Sequence, residues 1–249
     1  MSFRGWKVWI LSVLLFGACP LGFAHERRYT FNQEYRTIPK GEFEIESHNY
    51  FKMPEFDTTR ENEFTFQEEL EYGVTDRLTA AHYEVWKREN QAGPDDAAVY
   101  DAFKFETKYR IGEKGRYGLD PLLYLEWKTE PREEQRKNEI EAKIVFSKDL
   151  GKFNVTYNQI MESQLGGGGR TTHEFTAGAN YEIFDSIYLG MEMKGEYWHP
   201  SSHRNEIALG PSAAWSSKYF WMAAASLFGV NHAADDWELR TIVGIPFEF

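Results

Sequence analysis

Ile187-Tyr188-Leu189-Gly190-Met191-Glu192-Met193-Lys194-Gly195-Glu196-Tyr197 changes character at every step. Ile187, Leu189, Met191, Met193 and Tyr197 share one parity; Glu192, Lys194 and Glu196 share the other. Successive side chains of a strand point to opposite faces, whereas a helix brings apolar residues together three and four positions apart. The stretch therefore reads as a strand with an apolar face and a charged face.

Working outward, the same period recurs. Phe43, Ile45 and Phe51 oppose Glu44, Glu46, His48 and Tyr50. Phe64, Phe66, Leu70 and Tyr72 oppose Glu63, Gln67, Glu69 and Glu71. Phe103, Phe105 and Tyr109 oppose Lys104, Glu106, Lys108 and Arg110. Ile140, Ala142, Ile144 and Phe146 oppose Glu139, Glu141 and Lys143. Two further runs follow at residues 153–162 and 174–183, and Leu239 to Phe247 closes the series against Glu238 and Arg240. Short turns fall near Gly73–Asp76, Gly112–Asp120, Asp149–Lys152, Phe184–Ser186 and Ser216–Lys218. Polar loops lie between them near residues 53–62, 88–96, 130–138, 164–172, 199–204 and 231–236. Five turns and six loops make twelve strands, an even number with both ends on the turn side. Strands of about 9–11 residues suit a bilayer, and alternating short turns and long loops mark bacterial barrels. The expectation is an all-β fold: a closed antiparallel transmembrane β-barrel of about twelve strands over residues 41–249. The competing reading is a soluble sandwich or lipocalin-like barrel, in which Phe43, Phe105, Tyr181 and Leu239 would point into a core.

Some stretches resist the pattern. Residues 78–87 and 97–102 alternate poorly, and Glu68 falls on the apolar parity, where a β-bulge would shift the register. Trp221 to Leu227 is apolar on both parities, which suggests a packed rather than wet interior beside it.

The N-terminus has a different logic. Arg4 and Lys7 precede an apolar run, Val8 to Ala18, and Gly22-Phe23-Ala24 places small residues before a cut after Ala24. This is the order of a secretory signal peptide over residues 1–24, and the run is too short for a spanning helix. The alternative is an N-terminal core helix, which Pro20 and Gly22 would break. Phe16-Gly17-Ala18-Cys19 loosely resembles a lipoprotein box with Cys19 lipidated. Cleavage after Ala24 removes Cys19, so no disulfide is available to the remainder. It also leaves 26 basic against 39 acidic side chains, a balance of −13. No basic stripe for nucleic acid is expected. Residues 25–40 are expected to form a periplasmic or plug segment.

Leu70-Glu71-Tyr72-Gly73-Val74-Thr75-Asp76-Arg77-Leu78 resembles the strand–turn–strand signature of outer-membrane barrels of the phenol meta-pathway degradation and transporter type. Phe105-Glu106-Thr107-Lys108-Tyr109-Arg110 with Gly112-Glu113, and Ser147-Lys148-Asp149-Leu150-Gly151-Lys152-Phe153, are similar to later segments of that family. Phe249 resembles the terminal aromatic residue read by the barrel assembly machinery. The resemblance implies an outer-membrane barrel with a transport role, in contact with outer-membrane lipids, and supplies no catalytic residue and no cofactor.

The inward parity is expected to line the lumen with Glu44, Glu46, Glu63, Glu69, Glu71, Glu106, Glu126, Glu141, Glu182, Glu192 and Glu196, and with Lys104, Lys108, Arg110, Lys128, Lys143, Lys194 and Arg240. Eleven acids against seven bases suggest a porin-like channel for small solutes with an acid-rich, cation-favouring wall. The alternative is a plugged barrel whose charges pair and stiffen the interior. Trp198-His199-Pro200-Ser201-Ser202-His203, with Glu206, offers a distant likeness to the His–Ser pair of lipid A deacylases. His199 and His203 with His173 or His232, or a new N-terminus at His25, are weak metal candidates that complete no standard site. Gly166–Gly169 lacks the Lys-Ser/Thr of a phosphate loop. No enzyme activity and no metal are expected.

Overall fold

The structure, a computed structural model, describes residues 27–56, 62–89, 98–131, 137–166, 171–198 and 205–247. The signal-peptide candidate, Cys19, His25, the His199–His203 stretch with Ser201, and Phe249 lie outside the described residues.

Twelve strands follow in chain order: β1 (Phe43–Met53), β2 (Glu63–Thr75), β3 (Leu78–Glu89), β4 (Val99–Arg110), β5 (Asp120–Glu130), β6 (Lys137–Leu150), β7 (Phe153–Leu165), β8 (Thr171–Phe184), β9 (Ile187–Trp198), β10 (Glu206–Ser216), β11 (Trp221–Gly229) and β12 (Trp237–Phe247). Each pairs antiparallel with its neighbours in sequence, and β12 returns to β1 with Phe43 opposite Phe247 and Ile45 opposite Ile245. Closure leaves no edge, so every strand finds backbone partners on both sides, as hydrocarbon requires. Tight turns gather at one end of the barrel and longer loops at the other, in the positions the sequence indicates.

Registers carry the parity around most of the wall, with shifts at Gly73/Thr75, Val85/Trp86 and Glu182/Phe184. Glu46 is opposite Glu69, Glu69 opposite Tyr83, Tyr83 opposite Lys104 and Lys104 opposite Lys128. Outside runs the apolar series: Phe105 is 50% exposed and Tyr181 39% exposed, the reverse of a soluble core. Rings pack along this face in cross-strand pairs, Phe43 with Tyr72 at 4.6 Å between centroids and Phe153 with Tyr181 at 4.5 Å. Such pairs add to strand pairing.

Glu68 corrects one expectation. Register is unbroken from Glu63 to Gly73, and the shift in β2 falls between Gly73 and Thr75. Glu68 therefore stays on the outer face, opposite Glu84 of β3, and accepts a hydrogen bond from Ser47 at 2.9 Å. Strand β3 alternates poorly because its faces invert the usual chemistry. Ala81, Tyr83 and Val85 are buried inside, while His82 and Glu84 face out, where Tyr100 donates to Glu84 at 2.7 Å.

Candidate functional site: the lumen and its N-terminal segment

Residues 27–41 run inside the barrel before β1 begins. The path has no regular hydrogen-bond ladder, so its backbone groups turn to side chains on the wall. Gln33 N donates to Asn158 Oδ1 of β7 at 2.8 Å, Tyr35 N to Ser147 Oγ of β6 at 3.1 Å, and Ile38 N to Thr79 Oγ1 of β3 at 2.8 Å. Gly41 N then reaches Gly73 O at 2.8 Å, which brings the chain out at the turn end. Tyr29, Thr30, Asn32 and Ile38 are fully buried.

Glu192 of β9 is the densest anchor. Its carboxylate accepts hydrogen bonds from Thr30 N (2.9 Å), Phe31 N (2.7 Å), Asn32 N (3.2 Å) and Asn32 Nδ2 (3.0 Å). Hydrogen bonds to an ionised acceptor are about twice as strong as neutral ones, so this carboxylate holds the bend of the segment. Glycines make room. At Gly178 of β8 a Cβ would lie 2.5 Å from the Tyr29 ring, and at Gly73 it would lie 1.8 Å from Pro39 O.

The segment also answers the wall's acids. Glu44, Glu46, Glu69, Glu71 and Glu106 are all buried on β1, β2 and β4. Arg36 binds Glu44 and reaches Glu46 at 3.4 Å; Arg27 binds Glu46 at 2.7 Å. Lys108 of β4 binds Glu71 and lies 2.9 Å from Glu106. His48 Nε2 sits 3.0 Å from Glu46 and 3.1 Å from Glu69. Three groups here have metal-like spacing, Glu46/His48/Glu69, Glu44/Glu46/Glu71 and Glu69/Glu71/Glu106. Arg27, Arg36 and Lys108 already supply the positive charge at each. Isolated carboxylates would be costly in this position, and pairing offsets that cost.

The other expected lumen residues fall as follows. Lys104 pairs with Glu126 at 3.2 Å, Lys143 with Glu141 at 2.8 Å, and Lys194 with Glu238 at 2.7 Å. Glu63 pairs with Lys87 at 2.8 Å, and Lys128 with Glu130 and Glu139 at 2.5 and 3.1 Å. Arg110 binds the Asp76 carbonyl at the turn end and lies over the Tyr35 ring. Glu182 accepts Ser186 N at 3.2 Å, also at the turn end. Glu196 stands in register between Glu174 and Glu206. Arg240 of β12 donates to His48 Nδ1 at 3.2 Å. His173 lies on the outer parity, its ring stacked on Tyr197. Beside β11 the interior is packed, with Trp221, Ala223, Ala225 and Leu227 buried. The residues that periodicity did not single out are Arg27, Arg28, Tyr29, Arg36, Tyr83 and Tyr124. Four bases between residues 27 and 40, ahead of an acid-rich wall, were the available signal. Outside the strands, Glu113 in the β4–β5 turn binds Arg77 of the β2–β3 turn, and that hydrogen bond holds its carboxyl below the ordinary carboxylate range.

No protein-family model matches the chain, and no curated protein matches it. Solved structures do match in fold. An outer membrane channel from Pseudomonas putida F1 superposes with a TM-score of 0.61 at 11% identity, over 87% of this chain and 99% of that one. The NanC porin gives 0.54 at 7% identity, over 82% and 100%. The KdgM porin, in complex with disordered oligogalacturonate, gives 0.51 at 9% identity, over 83% and 99%. The fold shared with them is a closed twelve-stranded antiparallel outer-membrane β-barrel.

Proposed function

We propose that this protein is a gated outer-membrane channel for small solutes, in which residues 27–40 are the gate. The observation that carries the reading is the segment's mode of attachment. It is held inside the lumen by side chains, chiefly Glu192, rather than by strand pairing. Such an element can leave without opening the barrel wall. Support for transport comes from the channel and porin character of its structural neighbours. In this reading the chain is made as a precursor cut after Ala24 and assembled by the barrel machinery through Phe249. It contacts outer-membrane lipids and acts on solutes by passage, not by catalysis.

The acid-rich wall acquires a conditional role. While the segment is seated, Arg27 and Arg36 neutralise Glu44 and Glu46. When it leaves, those carboxylates face water with fewer bases, and a wall of one sign concentrates counter-ions. Cation preference then belongs to the open state. Planar-bilayer recordings of the wild type and Glu192→Ala test this. The wild type is expected to conduct in rare steps, and the variant to conduct most of the time with cation preference. Silence in both would remove the channel reading.

A plugged barrel that transports nothing is the second reading, favoured by the number of buried anchors the segment makes. Glu192→Ala separates the two, because a structural plug would leave the variant silent or unfolded.

A further inference from the structure

Beside the segment lies a polar chamber of about 190 Å³, lined by Phe31, Asn32 and their neighbours and by the wall strands β1 to β6 and β12. Its charged groups can be accounted for one by one. Lys104 is paired with Glu126 and Lys143 with Glu141. Arg27 is paired with Glu46. The Tyr83 hydroxyl donates to Glu106 at 2.5 Å and Tyr124 to Glu126 at 2.8 Å, so neither offers its proton to the chamber.

Arg240 is the exception. Among the described residues its guanidinium forms no ion pair; its contacts are His48 Nδ1 at 3.2 Å and the Phe31 ring at 5.8 Å. Its Nε is buried and makes no hydrogen bond among the described residues. Accepting a hydrogen bond from Arg240 at Nδ1 leaves the other His48 nitrogen, Nε2, as donor to Glu46 and Glu69, so His48 is neutral and offers no negative charge. The neighbours across the ladder are Tyr50 and Ala225, neither of which carries a charge. Enclosed charges persist when paired.

We infer that the chamber is a binding site for a small monocarboxylate, with Arg240 as its counter-ion. The guanidinium fork matches the two oxygens of a carboxylate. A guanidinium with no direct ion pair and an unbonded Nε has room for one carboxylate beside it. Phe31 and the faces of Tyr50, Tyr83 and Tyr124 suit a flat apolar body on that carboxylate. The volume lies below the roughly 300–1,000 Å³ of drug-sized sites, so the ligand is small. This assignment rests on the channel reading for its purpose; it concerns the seated state, in which Arg27, Phe31 and Asn32 line the chamber, not the cation preference of the open lumen, and the binding itself does not require transport.

Calorimetric titration of the full barrel in detergent with benzoate, and with benzyl alcohol as its neutral counterpart, tests the site. Benzoate is expected to bind and benzyl alcohol not to bind. Arg240→Gln should weaken benzoate at least tenfold, while Arg240→Lys should keep part of the affinity, which separates loss of charge from loss of fold. No benzoate binding to the wild type, equal binding of the neutral compound, or equal affinity in Arg240→Gln would overturn the assignment. Liposome swelling with the same two solutes addresses the channel separately. Benzoate bound without swelling keeps the site and removes the channel; equal swelling with no bound benzoate keeps the channel and removes the site.

Discussion

The Tyr29 ring occupies the place a side chain at Gly178 would take. A Cβ there would lie 2.5 Å from Tyr29 Cε1, and the Tyr29 hydroxyl donates to Asn154 Oδ1 at 2.9 Å on the adjoining strand β7. The wall is thus shaped around a residue of the N-terminal segment, some 150 positions away in the chain.

Gly178→Val should therefore expel the segment without opening the barrel, because position 178 lies on the inner face of a paired strand. Overpacking typically costs about 1–3 kcal/mol, enough to shift the seated and released populations roughly 5- to 150-fold. Limited proteolysis should cleave within residues 27–40 in the variant and spare them in the wild type. Equal protection in both would mean that the fit of Tyr29 contributes nothing to seating.

Lys108→Met should be among the most destabilising single changes in the lumen. Glu71 and Glu106 would lose their shared cation, and removing one partner of a buried pair costs about 3–5 kcal/mol. Urea unfolding from lipid vesicles measures this. Replacing Glu71 by Gln in the same background should recover part of the loss, since one buried charge is then removed. No recovery would place the damage in packing rather than in charge.

Glu68→Leu should stabilise the barrel. Glu68 is exposed on the outer face, among Leu70, Phe66 and their neighbours, with Glu84 across the ladder. Charged residues on a lipid face cost up to about 2–4 kcal/mol at mid-membrane for bases and less for acids. A gain of about 1 kcal/mol in vesicle unfolding is expected. A loss would show that Glu68 serves a contact worth more than its desolvation.

How far the sequence reveals all this depends on what each residue needs from its neighbours. Strands announce themselves where one face meets lipid and the other meets water, as in Ile187–Tyr197. Strand β3 hides because Ala81 and Val85 face inward and Glu84 outward, so its two parities no longer differ in polarity. Placing Glu68 needed no bulge, only an outer face that tolerates a hydrogen-bonded carboxylate. The acids of the lumen are legible as a parity, yet their partners are not. Arg27 and Arg36 sit in a stretch with no period, and the bonds that fix it join Thr30 to Glu192 and Tyr29 to Asn154. Local pattern carries no trace of contacts so distant, beyond the cluster of bases itself.

The central claim, that residues 27–40 gate the lumen, is tested most directly by tethering. Gln33 N lies 2.8 Å from Asn158 Oδ1, and the one native cysteine, Cys19, can be replaced by Ser. Cysteines at positions 33 and 158, joined by a short reducible crosslinker, should give a barrel silent in planar-bilayer recording that conducts once reductant cuts the tether. Equal conductance before and after reduction would contradict the gate.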